Sequence, residues 1–581
     1  MSQRRRLLQL EHKLGPLGEG EITLDELAQT FSCSRRNIQL VLGSLIEAGW
    51  IRWSPGRGRG HRSRIALLQS HHRLTMQEAE AACQRGQLDL AMALLEEIGA
   101  RADFGQLLGQ MVQRRRCVDG IIIPMACPIL ELDPARTSSS SALHIIEHLY
   151  DGLLEVSPLD GALQPALAHH WEAREEGLCW HFWLRSGVRF HHGPTLEAGD
   201  VVRTLERLRD PASLFYSLYM HIVEVRALSP LKVEVRLAHP DPFLLQLLAN
   251  PHSRIIAGEG SHDTVGRFTP FGTGPFQLHQ RSEHHLILHR HEHHWGLLPQ
   301  LEQIEIWHLL PSGRQPNLWL HTNPSQHPQG DAVNQIHETA GCFYLIFHHL
   351  SPLWQTEARR QALWHYLEQA RHHADEMVPA NSIFPGGHML PPLCPEPPTW
   401  TPLGSPLRIA APDNERCRRQ RRWLAQSLER LGIECDWLPL PESGSEMGEL
   451  DGADLVLLAE VLDSEGEWGL FELLISSSGI SLALGQGAHR QMAATLRSHL
   501  ARCRPQERLA LFLQQEARLC SQYRYLPLFR QQEHVIFDPR LRGIQVNHQG
   551  YCSFRHLWLD EPELGVNICA PQEDPGSGGR L

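Results

Sequence analysis

Lysine is almost missing: of the 54 basic residues all but Lys13 and Lys232 are arginine. Neither lysine follows a glycine, so the phosphate-cradling G-x-x-x-x-G-K-[S/T] loop is absent and an ATPase of that class is excluded. A Schiff-base lysine would have to be Lys13, in an arginine-rich N-terminus, or Lys232, in the alternating run Leu231 to Leu237. Neither is a promising nucleophile. The thirteen cysteines are scattered and never spaced C-x-x-C, which argues against a zinc ribbon and against a disulfide framework. Basic residues open the chain but no apolar signal segment follows them, and no later stretch approaches ~18 uninterrupted apolar residues. We therefore expect a cytoplasmic protein with reduced thiols, neither exported nor membrane-spanning.

What is present is a long chain with uneven charge. At roughly 150 residues per domain, 581 residues with 42% hydrophobic content imply several folding units. The formal charge of −12 hides an asymmetry. Residues 1–73 hold twelve basic against six acidic side chains, a charge of +6, and the rest of the chain carries −18. A basic head on an acidic body is expected when one end meets nucleic acid.

The head reads as a helix-turn-helix. Thr23 and Glu26 stand at capping-box spacing, and Leu24, Leu27, Ala28 and Phe31 share one face of the helix that follows. After Ser32-Cys33-Ser34, a second helix places Ile38, Val41, Leu42, Leu45 and Ile46 on one stripe and ends near Gly49. Two strand-like runs, Trp50 to Trp53 and Arg62 to Leu67, flank a Gly- and Arg-rich tip and form a hairpin wing. The start of the second helix is the part that enters a major groove, so Arg35, Arg36, Asn37 and Gln39 are the candidate base readers. Arginine bonds guanine O6 and N7, and Asn or Gln bonds adenine N6 and N7. Arg57, Arg59, Arg62 and Arg64 on the wing are candidate phosphate or minor-groove contacts. Arginine at a helix N-terminus also opposes the dipole, a cost that phosphates relieve. A winged helix that binds protein is the alternative.

Residues 74–117, rich in helix formers, read as a helical linker, with Leu88, Ala91, Leu94, Leu95 and Ile98 as an apolar stripe for packing on a neighbouring domain. From Gly120-Ile-Ile-Ile-Pro124 onward, short strands and helices alternate.

In that body, Tyr150-Asp-Gly-Leu-Leu154, Trp180-His-Phe-Trp-Leu-Arg-Ser-Gly-Val-Arg-Phe190, Gly272-Thr-Gly-Pro-Phe276, His294-Trp-Gly296, Leu526-Pro-Leu-Phe529 and Gly550-Tyr-Cys-Ser-Phe554 resemble the peptide-type (family 5) extracytoplasmic solute-binding proteins of ABC transporters. With Cys33-Ser-Arg-Arg36 and the wing in front, the chain resembles the SgrR group of bacterial transcriptional regulators. The resemblance implies an α/β chain: a small winged helix-turn-helix head (1–73), a helical linker (74–117), and a large two-lobed periplasmic-binding-protein-like sensor (118–560). Lobe I would span about 118–270 and 500–560, lobe II about 277–499, with 561–581 a flexible tail. It implies double-stranded promoter DNA as partner and an association with sugar-phosphate stress. The effector would be a small molecule, a sugar phosphate or short peptide, and RNA polymerase or a second copy of the chain are further partners.

The candidate effector contacts are Arg136, Thr137, Ser138 and Ser139, at the entry to the body's first helix, where hydroxyls and free N–H groups suit an anion. Ordinary N-capping by serine is the plain alternative. Gly272, Gly274 and Pro275 read as hinge or turn geometry. No catalytic residue, cofactor or metal is assigned. Two histidine patterns stand against that: His144-x-x-Glu147-His148, the H-x-x-E-H order of a zinc hydrolase, and His284 to His294, with His289, His291 and His293 on one strand face. A solute-binding-like domain serving protein contact without ligand is the other alternative.

Overall fold

The computed structural model describes residues 3–15, 18–56, 62–84, 88–100, 120–125, 129, 131–157, 161–258, 261–262, 268–282, 285–308, 316–320, 332–387, 400, 404–413, 417–440, 450, 452–462, 466–547 and 549–560. They fall into two compact units, one comprising 1–118 with 280–286 and 307–315, the other the remainder.

In the first unit, helix α1 (Gln3–Leu14) precedes strand β1 (Glu19–Ile22), α2 (Leu24–Thr30), α3 (Arg35–Glu47), β2 (Ile51–Ser54) and β3 (Ser63–Leu67). The capping box forms: Glu26 N–H donates to Thr23 Oγ1 at 3.2 Å and Thr23 N–H to Glu26 Oε2 at 2.8 Å, satisfying orphan donors at both positions. Ser32 turns the chain between α2 and α3 at φ 49°, and Gly49 ends α3 at φ 71°. Leu27, Phe31, Ile38, Val41, Leu42 and Leu45 close on Ile22, Ile51 and Ile65, with Leu7 and Leu10 of α1 completing the core. The wing has three strands, β1-β3-β2, all antiparallel. Its third strand, β1, and helix α1 were not expected. The linker is a hairpin of α4 (His71–Gln84) and α5 (Leu88–Glu97); Ala91, Met92, Leu94 and Leu95 are buried and α5 packs on α4, which in turn meets α1. The stripe expected to face a neighbouring domain therefore closes this unit on itself.

The second unit holds several sheets, among them a four-stranded and a six-stranded one that carry much of its core. The four-stranded sheet of Ala168–Arg174, Cys179–Leu184, Lys232–Leu237 and Ile222–Ser229, in that order, is antiparallel throughout. Phe182, Leu184, Val233 and Val235 face its core. The six-stranded sheet runs Leu318–Trp319, Tyr525–Phe537, Val333–Phe347, Leu455–Val461, Leu407–Ala411, Cys435–Pro439, antiparallel in its first half and parallel from Leu455–Val461 onward. Val333–Phe347 is mostly exposed over its first six residues and buried over its last nine. Its pairing with Tyr525–Phe537 slips between Glu338 and Cys342.

Two expectations shift. Strand Tyr525–Phe537 lies inside the six-stranded sheet and helix Pro505–Ser521 packs on Glu467–Ser476, so a lobe boundary at residue 500 does not hold. The hydrophobic core is also continuous across the two lobes: Phe243 meets Trp468, Phe471 and Phe512 at centroid distances of 5.9, 5.1 and 6.1 Å. Buried Arg497 bonds the Ser217 carbonyl at 2.7 Å and lies 3.5 Å from Asp241. Residues 561–581 lie outside the described residues. Among the described residues no helix is long and apolar enough to cross a membrane, and eight of the described cysteines form no disulfide.

Candidate nucleic-acid interface and effector site

Helix α3 separates its faces cleanly. Ile38, Val41, Leu42 and Leu45 are buried, whereas Arg35, Arg36, Asn37 and Gln39 are all exposed. All four base-reading candidates thus reach solvent from the first turns of one helix, the placement a major-groove reader needs. Their surroundings differ. Arg35 forks onto both oxygens of Asp25 on α2, a bidentate pair of the strongest kind. That bond holds the Asp25 carboxyl below its usual range. Arg36 has no carboxylate partner among the described residues.

The sequence reading missed two residues on this face. Leu40 is 70% exposed, and at 100° per residue it lies beside Arg36, opposite the buried stripe. A side chain there suits a thymine methyl. Gly43, one turn on, has nothing within 4 Å of a built Cβ and leaves the helix surface low. Both were readable, because neither falls in the apolar stripe at 38, 41, 42 and 45.

On the wing, Arg62 and Arg64 alternate outward with Ser63 and Ile65 inward. Each has an acidic neighbour: Arg62 bonds Glu26 at 2.9 Å and Arg64 lies 3.4 Å from Glu19. Arg57 and Arg59 lie outside the described residues. Arg52 on β2 is exposed as well, a basic position the sequence reading passed over.

The effector loop is less convergent. The Arg136 Nε lies 3.6 Å from Glu131 and its side chain is 69% exposed. Thr137 is buried, and its hydroxyl accepts from the Ser139 N–H at 3.2 Å. Ser138 and Ser139 are exposed; Ser139 occupies the N-cap of helix Ser140–Leu149 without a side-chain capping bond. The four residues do not gather around one point, and the nearest charge to Arg136 is a carboxylate.

Instead, the motifs quoted above converge on Asp151. Its Oδ2 accepts from Trp295 Nε1 at 2.8 Å and Thr273 Oγ1 at 3.0 Å, its Oδ1 lies 3.4 Å from Arg555, and His294 Nε2 stands 3.6 Å away. Burial opposes ionisation of Asp151, yet His294, Arg555 and Trp295 hold its carboxyl well below the usual range. One buried anion thus joins segments distant in sequence.

Among the described residues neither histidine pattern gathers a metal-binding group. His144 stacks on Tyr551 at 4.5 Å, His148 on Phe554 at 4.2 Å, and Glu147 faces Arg254 at 3.6 Å. In the second run the strand ends at Arg290, so His289, His291 and His293 do not share a strand face. His289 stacks on His279 at 3.9 Å, His291 is buried with Nδ1 3.2 Å from the Gly274 carbonyl, and His293 is exposed. His284 lies outside the described residues.

Comparison with known proteins gives two family matches. Residues 2–116 match "Sugar transport-related sRNA regulator N-term" and residues 162–385 match "Bacterial extracellular solute-binding proteins, family 5 Middle". The HTH-type transcriptional regulator SgrR of Yersinia pseudotuberculosis is 26% identical over 551 residues, covering 94% of this chain and 96% of its own. Among solved structures, the murein tripeptide binding protein MppA of Escherichia coli aligns with a TM-score of 0.63 at 16% identity, over 76% of this chain and 99% of its own. A Pseudoalteromonas dipeptide binding protein in complex with Met-Leu aligns with a TM-score of 0.64 at 18% identity, over 76% and 100%. These likenesses fix the fold of the large unit, and the chain as a whole is similar to the SgrR regulators, with an SgrR N-terminal match followed by a family 5 solute-binding match.

Proposed function

We propose that this protein is a cytoplasmic transcriptional regulator that reads promoter DNA with helix α3 and senses a small metabolite through its solute-binding-like unit. The observation that carries the reading is the exposed quartet Arg35, Arg36, Asn37 and Gln39 opposite the fully buried face of the same helix. Asn37 and Gln39 offer bidentate donors and acceptors for adenine, and Arg36 for guanine. Arg62 and Arg64, with Arg57 and Arg59 from the sequence between β2 and β3, contribute phosphate contacts that fix register and make affinity salt-dependent. Arg136, Thr137, Ser138 and Ser139 remain the proposed effector contacts, and a phosphorylated sugar or a short peptide the proposed effector. An effector that prefers one arrangement of the large unit biases the regulator through a coupling of typically ~1–3 kcal/mol.

The deciding experiment selects bound sequences from random duplexes with the full chain, then compares wild type with Arg36→Ala and Asn37→Ala on the selected site. Each variant should lose ~1–3 kcal/mol of specific binding and relax preference at one base position, with an unchanged melting temperature. Recovery of no enriched sequence, or wild-type preference in both variants, overturns the base-reading assignment.

A second reading has its own support. The continuous core through Phe243, Trp468, Phe471 and Phe512, and the buried Arg497, oppose the opening that a closing sensor requires, and favour a rigid surface for protein contact. A metabolite screen by thermal shift separates the two, because a bound effector raises the melting temperature.

A further inference from the structure

On the outer face of the four-stranded sheet, Cys179 and His181 stand two residues apart on strand Cys179–Leu184, so their side chains point the same way. Glu234, on the adjacent strand, is in direct register with His181. The three meet. His181 Nε2 lies 3.0 Å from Glu234 Oε2, and Cys179 Sγ lies 3.5 Å from the same oxygen. All three donor atoms fall within 4.8 Å of one another, and all three residues are buried. Among the described residues no other such group occurs.

We propose that Cys179, His181 and Glu234 bind a divalent transition-metal ion of the zinc class. With zinc to sulfur near ~2.3 Å and zinc to nitrogen or oxygen near ~2.0–2.1 Å, ligand atoms in a tetrahedral site stand about 3.3–3.6 Å apart. The spacing around Glu234 Oε2 is already close to that. One thiolate, one imidazole and one carboxylate are a donor set for zinc, not for magnesium or calcium.

The surroundings orient the carboxylate for this role. Glu234 Oε1 accepts from Arg226 Nε at 3.2 Å and Arg236 Nε at 3.1 Å, and Arg236 is itself held by Glu175 at 3.1 and 3.2 Å. The guanidinium groups therefore occupy one oxygen and leave the other turned toward Cys179 and His181, the division of labour that outer partners impose on metal ligands. Three protein donors leave a fourth position. Glu172, in register with His181 on the opposite neighbouring strand, lies in the same row, and water fills the position otherwise. Binding converts the Cys179 thiol to thiolate and releases its proton to solvent.

The test uses the full chain without a histidine tag, stripped with chelator and titrated with Co2+. Wild type should bind one equivalent with an intense near-ultraviolet thiolate-to-cobalt band that Zn2+ displaces. Cys179→Ser should lose that band, and His181→Gln should bind at least tenfold more weakly, with far-ultraviolet circular dichroism unchanged. The chain has 13 cysteines and 37 histidines, so the readout is the difference between wild type and variant. An identical spectrum in Cys179→Ser means the cobalt sits elsewhere and overturns the site. X-ray absorption at the zinc edge tests wild type without any variant: one sulfur near ~2.3 Å is expected, and a shell of nitrogen and oxygen alone leaves only an ion-pair network around Glu234.

Discussion

Arg35 and Arg36 are neighbours on the first turn of α3, yet the fold gives them different tasks. The Arg35 guanidinium is committed to both oxygens of Asp25, one helix away, so it ties the two helices together and must exchange partners before it reaches a base. Arg36 has no such competitor among the described residues. Replacing it should therefore cost more specific affinity than replacing Arg35. The converse substitution is more informative. Asp25→Asn removes the competing charge, releases Arg35 to the duplex and raises the charge of the head by one. Binding to promoter and to unrelated DNA should both tighten, and the slope of log affinity against log salt should steepen by about one. Fluorescence anisotropy across a salt series reads this directly; an unchanged slope means Arg35 already reaches the DNA in the wild type. Leu40 makes a related point from the apolar side, since this exposed leucine between Arg36 and Gly43 lies outside the head's core and is open to contact with a thymine methyl.

At the scale of elements, the glycines of Gly272-Thr-Gly-Pro275 are explained by proximity. Neither has positive φ, so turn geometry is not their reason. A Cβ on Gly272 would stand 1.9 Å from the Leu149 carbonyl oxygen, and one on Gly274 2.5 Å from that of His148. The segment lies flush against the last turn of helix Ser140–Leu149, and Gly274 N–H bonds the Leu149 carbonyl at 3.1 Å. Gly272→Ala should destabilise the large unit by about 3 kcal/mol or more, because backbone on both sides cannot yield. Urea unfolding measures it, and a loss below 1 kcal/mol contradicts the close approach. The same contrast shows what was readable in the sequence. Helix α3, the wing hairpin of β2 and β3 and the glycine motif announce themselves through local spacing. Strand β1 and helix α1 do not, since Leu7 and Leu10 sit among arginines and four residues of strand carry almost no period. Strand Tyr525–Phe537 was assigned to the wrong half of the body because its partner lies nearly two hundred residues away, and nothing local encodes that pairing. The exposure of the quartet proposed to read bases was legible for a related reason: its members lie within the first turns of one helix. The Asp151 centre and the Cys179, His181 and Glu234 group were not, since strand pairing and chain crossing bring their members together.

For the whole molecule, the abundance of histidine has a physical reading. Several of the 37 histidines stand where burial disfavours the charged ring. His191 bonds the Gly274 carbonyl at 3.1 Å, and burial holds it down to about 3 against an ordinary value of 6.5. His148, His221, His291 and His489 are likewise pushed down, in each case first by burial. Their sign is the same. Between the lowered value and 6.5 the unfolded chain takes up protons that the folded chain refuses, so this stability is complete above pH 6.5 and drains away as the pH falls. Buried Glu460 and Glu516 act the other way. Burial raises both, so what they contribute is present at low pH and is lost as the pH rises through their raised values. The histidines outnumber them, and each group in its window contributes about 1.4 kcal/mol per pH unit. Urea midpoints should therefore fall steadily from pH 7 to pH 5, before ordinary surface carboxylates titrate. His191→Gln, which keeps a polar group beside Gly274 but takes up no proton, should flatten that decline by up to the share of one histidine. A flat profile between pH 7 and pH 5 would mean that these rings charge within the folded protein, and burial would then be the wrong account of why the chain carries so many.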